Sequence, residues 1–169
     1  MASDLAGGCQ CGVVRFSVKR LGRASICHCR MCQKAFGSFF GPLVTAFGAE
    51  WTRGAPSWFQ SSNKVRRGFC GQCGTPLAYD FGASAIELAI GAFDDPERAA
   101  PVIQVNLEDK VSFFEGLTSL PVRHPGDNPK ADEFLVGIES YQHPDHDTTE
   151  WTPKTASESE HWRPREQGV

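Results

Sequence analysis

The residues of this chain best equipped for chemistry are its seven cysteines, all between Cys9 and Cys73. They fall into three groups: Cys9-x-Cys11, Cys27-x-Cys29-x-x-Cys32 and Cys70-x-x-Cys73. An odd number cannot pair completely into disulfides. Thiolates are the soft donors zinc prefers, four to a tetrahedron with Zn–S distances of about 2.3 Å. A C-x-x-C turn bends its backbone around one ion and presents two thiolates to it. Gly71 inside the last pair and Gly74 after it supply the backbone freedom for that bend. Two pairs distant in sequence close a structural site, whereas C-x-C-x-x-C supplies three ligands and leaves one position open, the pattern of a catalytic zinc. Seven therefore divides into four plus three, but spacing alone leaves Cys9 and Cys11 free to complete either the late pair or the middle cluster. The plainer alternative is one structural zinc with three ordinary buried cysteines. Three cysteines within six positions are dense for core filler. A redox dithiol at Cys70 and Cys73 lacks the βαβ context such motifs require.

The elements that must position these groups are short. Val14, Phe16 and Val18 alternate with polar neighbours, the period-2 pattern of a strand with one buried face. Gln33 to Phe36 fits a short helical turn stopped by Gly37, and Leu43 to Thr45 a strand. Glu50 to Phe59 fits a hairpin turning at Arg53-Gly54. Leu77 to Phe81 and Ile86 to Ile90 read as two strands around the Gly82-Ala83-Ser84 turn. Asp94 to Ala100 fits a short helix with Pro96 in its first turn, and Val102 to Leu107 alternates again. No long helical period precedes residue 130, and 17 glycines and 11 prolines punctuate the chain. The expected class is mostly β. Past about Ala131 the texture changes: Phe134 to Ile138 retain a few apolar residues, and from Ser140 the sequence is polar and nearly free of aliphatics. The expected organisation is one domain over 1–130 and a polar extension over 131–169, flexible or draped on the surface, which Trp151 and Trp162 would pin to the body or to a second subunit.

Composition narrows the class of function. The 169 residues carry 17 Lys+Arg against 20 Asp+Glu, a formal charge of −3. Mild acidity argues against a nucleic-acid partner, and no apolar run approaches the roughly 20 residues of a membrane helix. The opening MASDLAGG has neither the basic nor the apolar region of a secretory signal, so a cytoplasmic setting is expected. There, clustered cysteines bind metals or catalyse more often than they cross-link.

The segments GGCQCGVVRF, CHCRMCQKAFG, SSNKVRRGFCGQCGTPLAY and ELAIGAFDDPE, in this order, resemble the glutathione-dependent formaldehyde-activating enzyme family, also called the centromere-protein-V/Gfa-like family. The likeness spans roughly residues 7 to 121 and includes all seven cysteines. It implies an Mss4-like fold of short antiparallel sheets organised around a structural zinc, with two zinc ions per chain. It also implies the partition: Cys9, Cys11, Cys70 and Cys73 to the structural zinc, and Cys27, Cys29 and Cys32 to the catalytic one. The implied activity is that of a carbon–sulfur lyase, the reversible addition of glutathione to formaldehyde giving S-hydroxymethylglutathione. The chain departs from the family pattern where a histidine and a later tryptophan often stand; it carries Gln104 and Phe113 there. Residues beyond about 130 have no counterpart in the resemblance.

A three-thiolate zinc is a soft, weak Lewis acid, better suited to binding a substrate thiol than to making hydroxide. A thiol such as glutathione brings two carboxylates, so a basic rim would help to hold it. Arg30, Lys34, Arg66 and Arg67, with Lys64, lie beside the cysteine clusters in sequence, and Ser62, flanked by Ser61 and Asn63, could donate hydrogen bonds. Each basic residue alone is as readily explained as part of a solvated surface. His28, between two cysteines of an extended segment, would point away from them and pack or support rather than ligate. Phe36, Phe39, Phe40 and Phe69 are expected in the core or the wall of the site. His124, His143, His146 and His161 are expected at the surface, with His143 and His146 spaced for adventitious metal. Two other readings remain: the same site acting on a different thiol adduct or electrophile, and a non-catalytic zinc-stabilised binding module. A homo-oligomer is compatible with either.

Overall fold

A computed structural model describes residues 5–154. Among the described residues, ten strands form two sheets. The smaller has the order β1-β2-β5, from Leu5–Gly8 (β1), Arg15–Val18 (β2) and Glu50–Arg53 (β5). The larger contains Arg20–Cys27 (β3), Gly41–Phe47 (β4), Ser57–Gln60 (β6), Arg66–Phe69 (β7), Pro76–Asp80 (β8), Ile86–Ala89 (β9) and Ile103–Val105 (β10). Its order is β10-β3-β4-β9-β8-β7-β6. Two short helices complete the structure, Arg30–Phe36 (α1) and Pro129–Val136 (α2), with several single 3₁₀ turns. No helix among the described residues is long and apolar enough to cross a membrane.

The fold is mostly β, as the sequence implies. The alternating face of β2 explains how its halves join: Phe16 and Val18 point into one core with Val44, Ala46, Leu77 and Leu88 of the large sheet. Phe16 meets Phe93 edge-on at 5.0 Å and Trp51 at 6.0 Å. Full burial of a side chain of this size contributes about 1.5–3 kcal/mol.

Three expectations are corrected. The hairpin over 50–59 does not form: β5 pairs with β2 in the small sheet, while β6 pairs with β7 in the large one. The aromatic residues of the two segments serve different sheets, Trp51 against Phe16 and Trp58 against Gly68, and the chain crosses between them at Gly54. A side chain at Gly54 would meet the Val13 carbonyl at 2.3 Å, so that crossing needs glycine. The large sheet is mixed rather than wholly antiparallel, because β10 runs parallel to β3. The expected helix over 94–100 is a single 3₁₀ turn, Pro96–Ala99.

Candidate metal centres and the groove beside them

Two tight turns build the first cluster. Between β1 and β2, Cys9 N–H donates to Val14 O and Gly12 N–H to Cys9 O, both at 2.9 Å. Between β7 and β8 the same pattern recurs, with Cys70 N–H on Thr75 O and Gly74 N–H on Cys70 O, again at 2.9 Å. Gly12 and Gly74 lie in the left-handed region, at φ 75° and 78°. Each turn therefore needs a glycine after its cysteine pair. The topology sets the two turns against each other, so Cys9, Cys11, Cys70 and Cys73 place four Sγ atoms within 4.8 Å of one another.

Their spacing suits a metal ion. Cys9 and Cys11 Sγ are 3.5 Å apart, and Cys11 and Cys70 Sγ 3.7 Å. A disulfide would need about 2.05 Å, whereas the edges of a tetrahedron with Zn–S of 2.3 Å are about 3.8 Å. Burial pushes the Cys9 and Cys11 thiols up from their ordinary value, so a cation is needed to hold them as thiolates. Burial acts the same way on Cys73, but hydrogen bonds from the Thr75 side chain and backbone outweigh it and bring that thiol down to about 6.

The second cluster sits where β3 runs into α1. Cys27 ends β3, Cys29 caps α1, and Cys32 lies in its first turn. The helix stops at Gly37, at φ 57°. Gly41, facing Cys27 across the β3–β4 pair, admits the helix closely: a Cβ there would stand 2.8 Å from Cys32 Cβ. The three sulfurs also lie within 4.8 Å of one another. Burial pushes Cys32 up to about 12 against the pull of Arg67. Cys29 is held below its ordinary value, because hydrogen bonds led by the Cys32 N–H outweigh its burial. The two donor sets fit one four-thiolate and one three-thiolate metal ion. They also settle on geometry what spacing left open, since Cys9 and Cys11 meet the late pair.

A dense frame fixes this second loop. His28 N–H donates to Val105 O at 3.0 Å, and His28 Nε2 donates to Gln104 Oε1 at 3.0 Å. The buried Gln33 amide donates both to His28 O and to Asp109 O, and Arg30 N–H donates to Asp109 Oδ2. His28 is fully buried and packs edge-on against Phe114 at 4.7 Å. It supports the loop, as expected. Gln104 and Phe113 touch His28 and Phe39 respectively.

The three-cysteine cluster opens into a groove of about 630 Å³. Leu43, Val65, Tyr79 and Phe81 give it apolar walls, while Arg23, Lys64 and Arg67 bring positive charge and Glu87 and Glu108 negative. Of the basic residues singled out from sequence, Arg67 is buried at this groove, with Nη2 3.4 Å from Cys32 Sγ and its guanidinium over the Tyr79 ring. Arg30 and Lys34 line an adjoining hollow of about 370 Å³ that shares Arg67 and Met31 with the groove. Arg66 and Ser62 line neither of these hollows. Arg66 pairs with Asp80 at 2.7 Å and stacks on Trp58, and Ser62 Oγ accepts from Lys64 N–H. The strand period explains the split, because neighbours on β7 point to opposite faces. Tyr79, Glu87 and Asn106 were not singled out from sequence. Tyr79 reaches the groove because the β7–β8 register sets it opposite Arg67, a pairing the sequence alone does not contain; Asn106 gave no signal.

Two side-chain expectations fail. Phe39 is 43% exposed and meets the exposed Phe113 edge-on, because the turn after α1 carries it outward. His143 is 3% exposed, not at the surface. Its ring lies over Gly12, where the missing side chain leaves room, and against Trp151 at 4.7 Å. Its Nδ1 donates to Pro144 O and its Nε2 accepts from Arg53, so neither nitrogen is free for metal. Burial lowers its pKa, in keeping with a neutral ring. His124 and His146 are exposed. Trp162 and His161 lie outside the described residues.

Fold and site together define a small cysteine-rich β domain with two candidate metal centres, one closed and one opening on a groove. Residues 4–109 match the family model of the glutathione-dependent formaldehyde-activating enzyme, and the chain belongs to that family. A crystal structure of a Rhodobacter sphaeroides protein is similar at 20% identity and a TM-score of 0.49, over 60% of this chain and 100% of that one. No functionally curated protein matches the chain.

Proposed function

We propose that this protein is a zinc-dependent carbon–sulfur lyase with an Mss4-like fold. It would form and cleave the adduct of a thiol with a small aldehyde, glutathione and formaldehyde being the pair its family implies. One observation carries the reading: three thiolates gather at the edge of a groove, while the other four close around themselves. Cys9, Cys11, Cys70 and Cys73 would hold a structural zinc, and Cys27, Cys29 and Cys32 a catalytic one. Bound there, zinc would acidify a thiol at neutral pH.

The chain's own residues do the rest. Arg23, Lys64 and Arg67 attract carboxylates of the incoming thiol, with Arg30 and Lys34 extending that field into the adjoining hollow. Glu87 and Glu108 supply the opposite sign, which suits a substrate bearing an ammonium group as well. Leu43, Val65 and Phe81 keep bulk water from the reacting atoms. The substrate thiol releases its proton to water, its sulfur forms the C–S bond as the carbonyl C–O π bond opens onto oxygen, and that oxygen takes a proton back from water; cleavage reverses each change. Residues 1–130 form the working domain on this reading and 131–169 an extension to it. A reducing, cytoplasmic setting would keep the seven thiols available.

The test is exchange spectroscopy of formaldehyde with glutathione by NMR, for the wild type and Cys29→Ser, with metal counted in both. Two zinc ions per wild-type chain, and an enhanced exchange rate lost in the variant, are expected. Equal rates in both proteins would remove the lyase assignment. One zinc with three freely titratable thiols would instead fit a non-catalytic module.

A further inference from the structure

Each sulfur of the three-cysteine centre has its own hydrogen-bond donor, and each donor comes from a different part of the fold. Cys29 Sγ accepts from Cys32 N–H at 3.4 Å, within the first turn of α1. Cys32 Sγ accepts from Arg67 Nη2 at 3.4 Å, from β7. Cys27 Sγ accepts from Asn106 Nδ2 at 3.0 Å, from the residue that follows β10. The first donor is inseparable from the helix, and the second brings a full charge and packs on Tyr79. Asn106 is different, being exposed, neutral and held there by its backbone.

That backbone is unusual. Asn106, at φ 56° and ψ 56°, is the only non-glycine among the described residues with positive φ. Left-handed backbone disfavours most side chains and is tolerated best by glycine, then by asparagine and aspartate. Glycine would suit the turn alone. An amide here has a second use, which the contact with Cys27 supplies. Val105, one residue earlier, is in register with Cys27, and its carbonyl takes the His28 N–H. The parallel β10–β3 pair thus holds the Asn106 side chain at the sulfur.

We propose that Asn106 is a positioning residue for the three-cysteine centre, its side-chain amide drawing charge from the Cys27 thiolate. The inference rests on the metal-binding part of the reading above, and it assigns to this chain a determinant outside the cysteines themselves. A hydrogen-bonded thiolate donates less electron density, so a metal at the site stays a better acceptor for a substrate thiol. Partners of this kind, one bond removed from the metal, change metal affinity by about 10–100-fold when lost.

The experiment uses the full chain with zinc kept at the four-cysteine centre and cobalt(II) titrated into the other. Asn106→Gly removes the amide and suits the left-handed backbone, so its thermal midpoint should equal or exceed that of the wild type. Loss of the hydrogen bond should move the sulfur-to-cobalt charge-transfer band to lower energy, and a Cys27 sulfur no longer held in place should outweigh its stronger donation and release cobalt to a chelator about tenfold faster. Asn106→Asp, close in shape but carrying an acceptor against the thiolate, should weaken cobalt binding further. Unchanged band position and release rate in Asn106→Gly would overturn the proposal and leave Asn106 a backbone residue only. Failure of the wild type to take up cobalt at this centre would overturn it as well. Formaldehyde exchange by the wild type judges the lyase reading separately, since the band is read without any substrate.

Discussion

Glu87 faces the groove from β9, half-buried, in register with Tyr79. Burial raises its pKa from the ordinary 4.5, and Arg23 offsets part of the rise. A carboxyl that binds its proton more tightly in the folded chain favours folding below the unfolded value. That contribution is lost as pH climbs through the folded value. Glu87→Gln should therefore raise the thermal midpoint at neutral pH, with the gain shrinking as the pH falls toward about 4. A gain of equal size at every pH would show that charge is not the cause. Asp80 has the opposite sign: the Gly82 N–H, and then Arg66, hold its carboxyl below the ordinary 3.8. It stabilises the fold above that value and ceases to as acid protonates it.

At the scale of elements, the three-cysteine centre is a joint between β3, α1 and β10, and Gln33 is its bolt. Its amide serves two carbonyls, His28 O and Asp109 O, from opposite sides of the loop. Gln33→Ala leaves both without that donor, and a buried carbonyl left unpaired costs about 1–3 kcal/mol. Urea denaturation should show a loss of that order, and cobalt should leave the three-cysteine centre faster while the four-cysteine centre keeps its metal. A stability loss with both centres unaffected would reduce Gln33 to packing. The sequence made part of this joint readable. The cysteine spacing gives the candidate ligands, Gly37 ends α1, and the alternation of 102–107 gives β10. It did not show that β10 lies parallel beside β3, because strand partners far apart in sequence leave no local trace. Asn106 and the Asp109 half of Gln33's role were hidden for the same reason, since those contacts span more than 70 residues. The false hairpin at 50–59 shows the converse, since a sound turn signal cannot say that the two arms serve different sheets.

For the whole molecule, the segment from Gln142 to Trp151 is a strap across the four-cysteine candidate centre, and it lies outside the region matched to the family. His143 N–H donates to Gln10 O at 2.8 Å, and Trp151 Nε1 donates to Cys11 O at 2.7 Å, so both bonds land on the Cys9–Gly12 turn. Arg15, 2% exposed, takes Asp94 from the body and Asp147 from the strap, each within 2.7 Å. Arg53 spans Gly12 O and Thr148. None of these side chains touches the three-cysteine groove, so the strap bears on one centre alone. Cys11 is half-buried in the same turn, and the strap restricts how freely that turn can open. Combining Trp151→Ala with Asp147→Ala removes two of the ties while Arg15 keeps Asp94, so the core should stay folded. Chelator-driven zinc release from the four-cysteine centre should then accelerate about tenfold, with release from the three-cysteine centre unchanged as the internal control. Faster release from both would mean general loosening of the fold. Faster release from neither would mean that the turn's own backbone bonds and its four thiolates hold the metal without the strap.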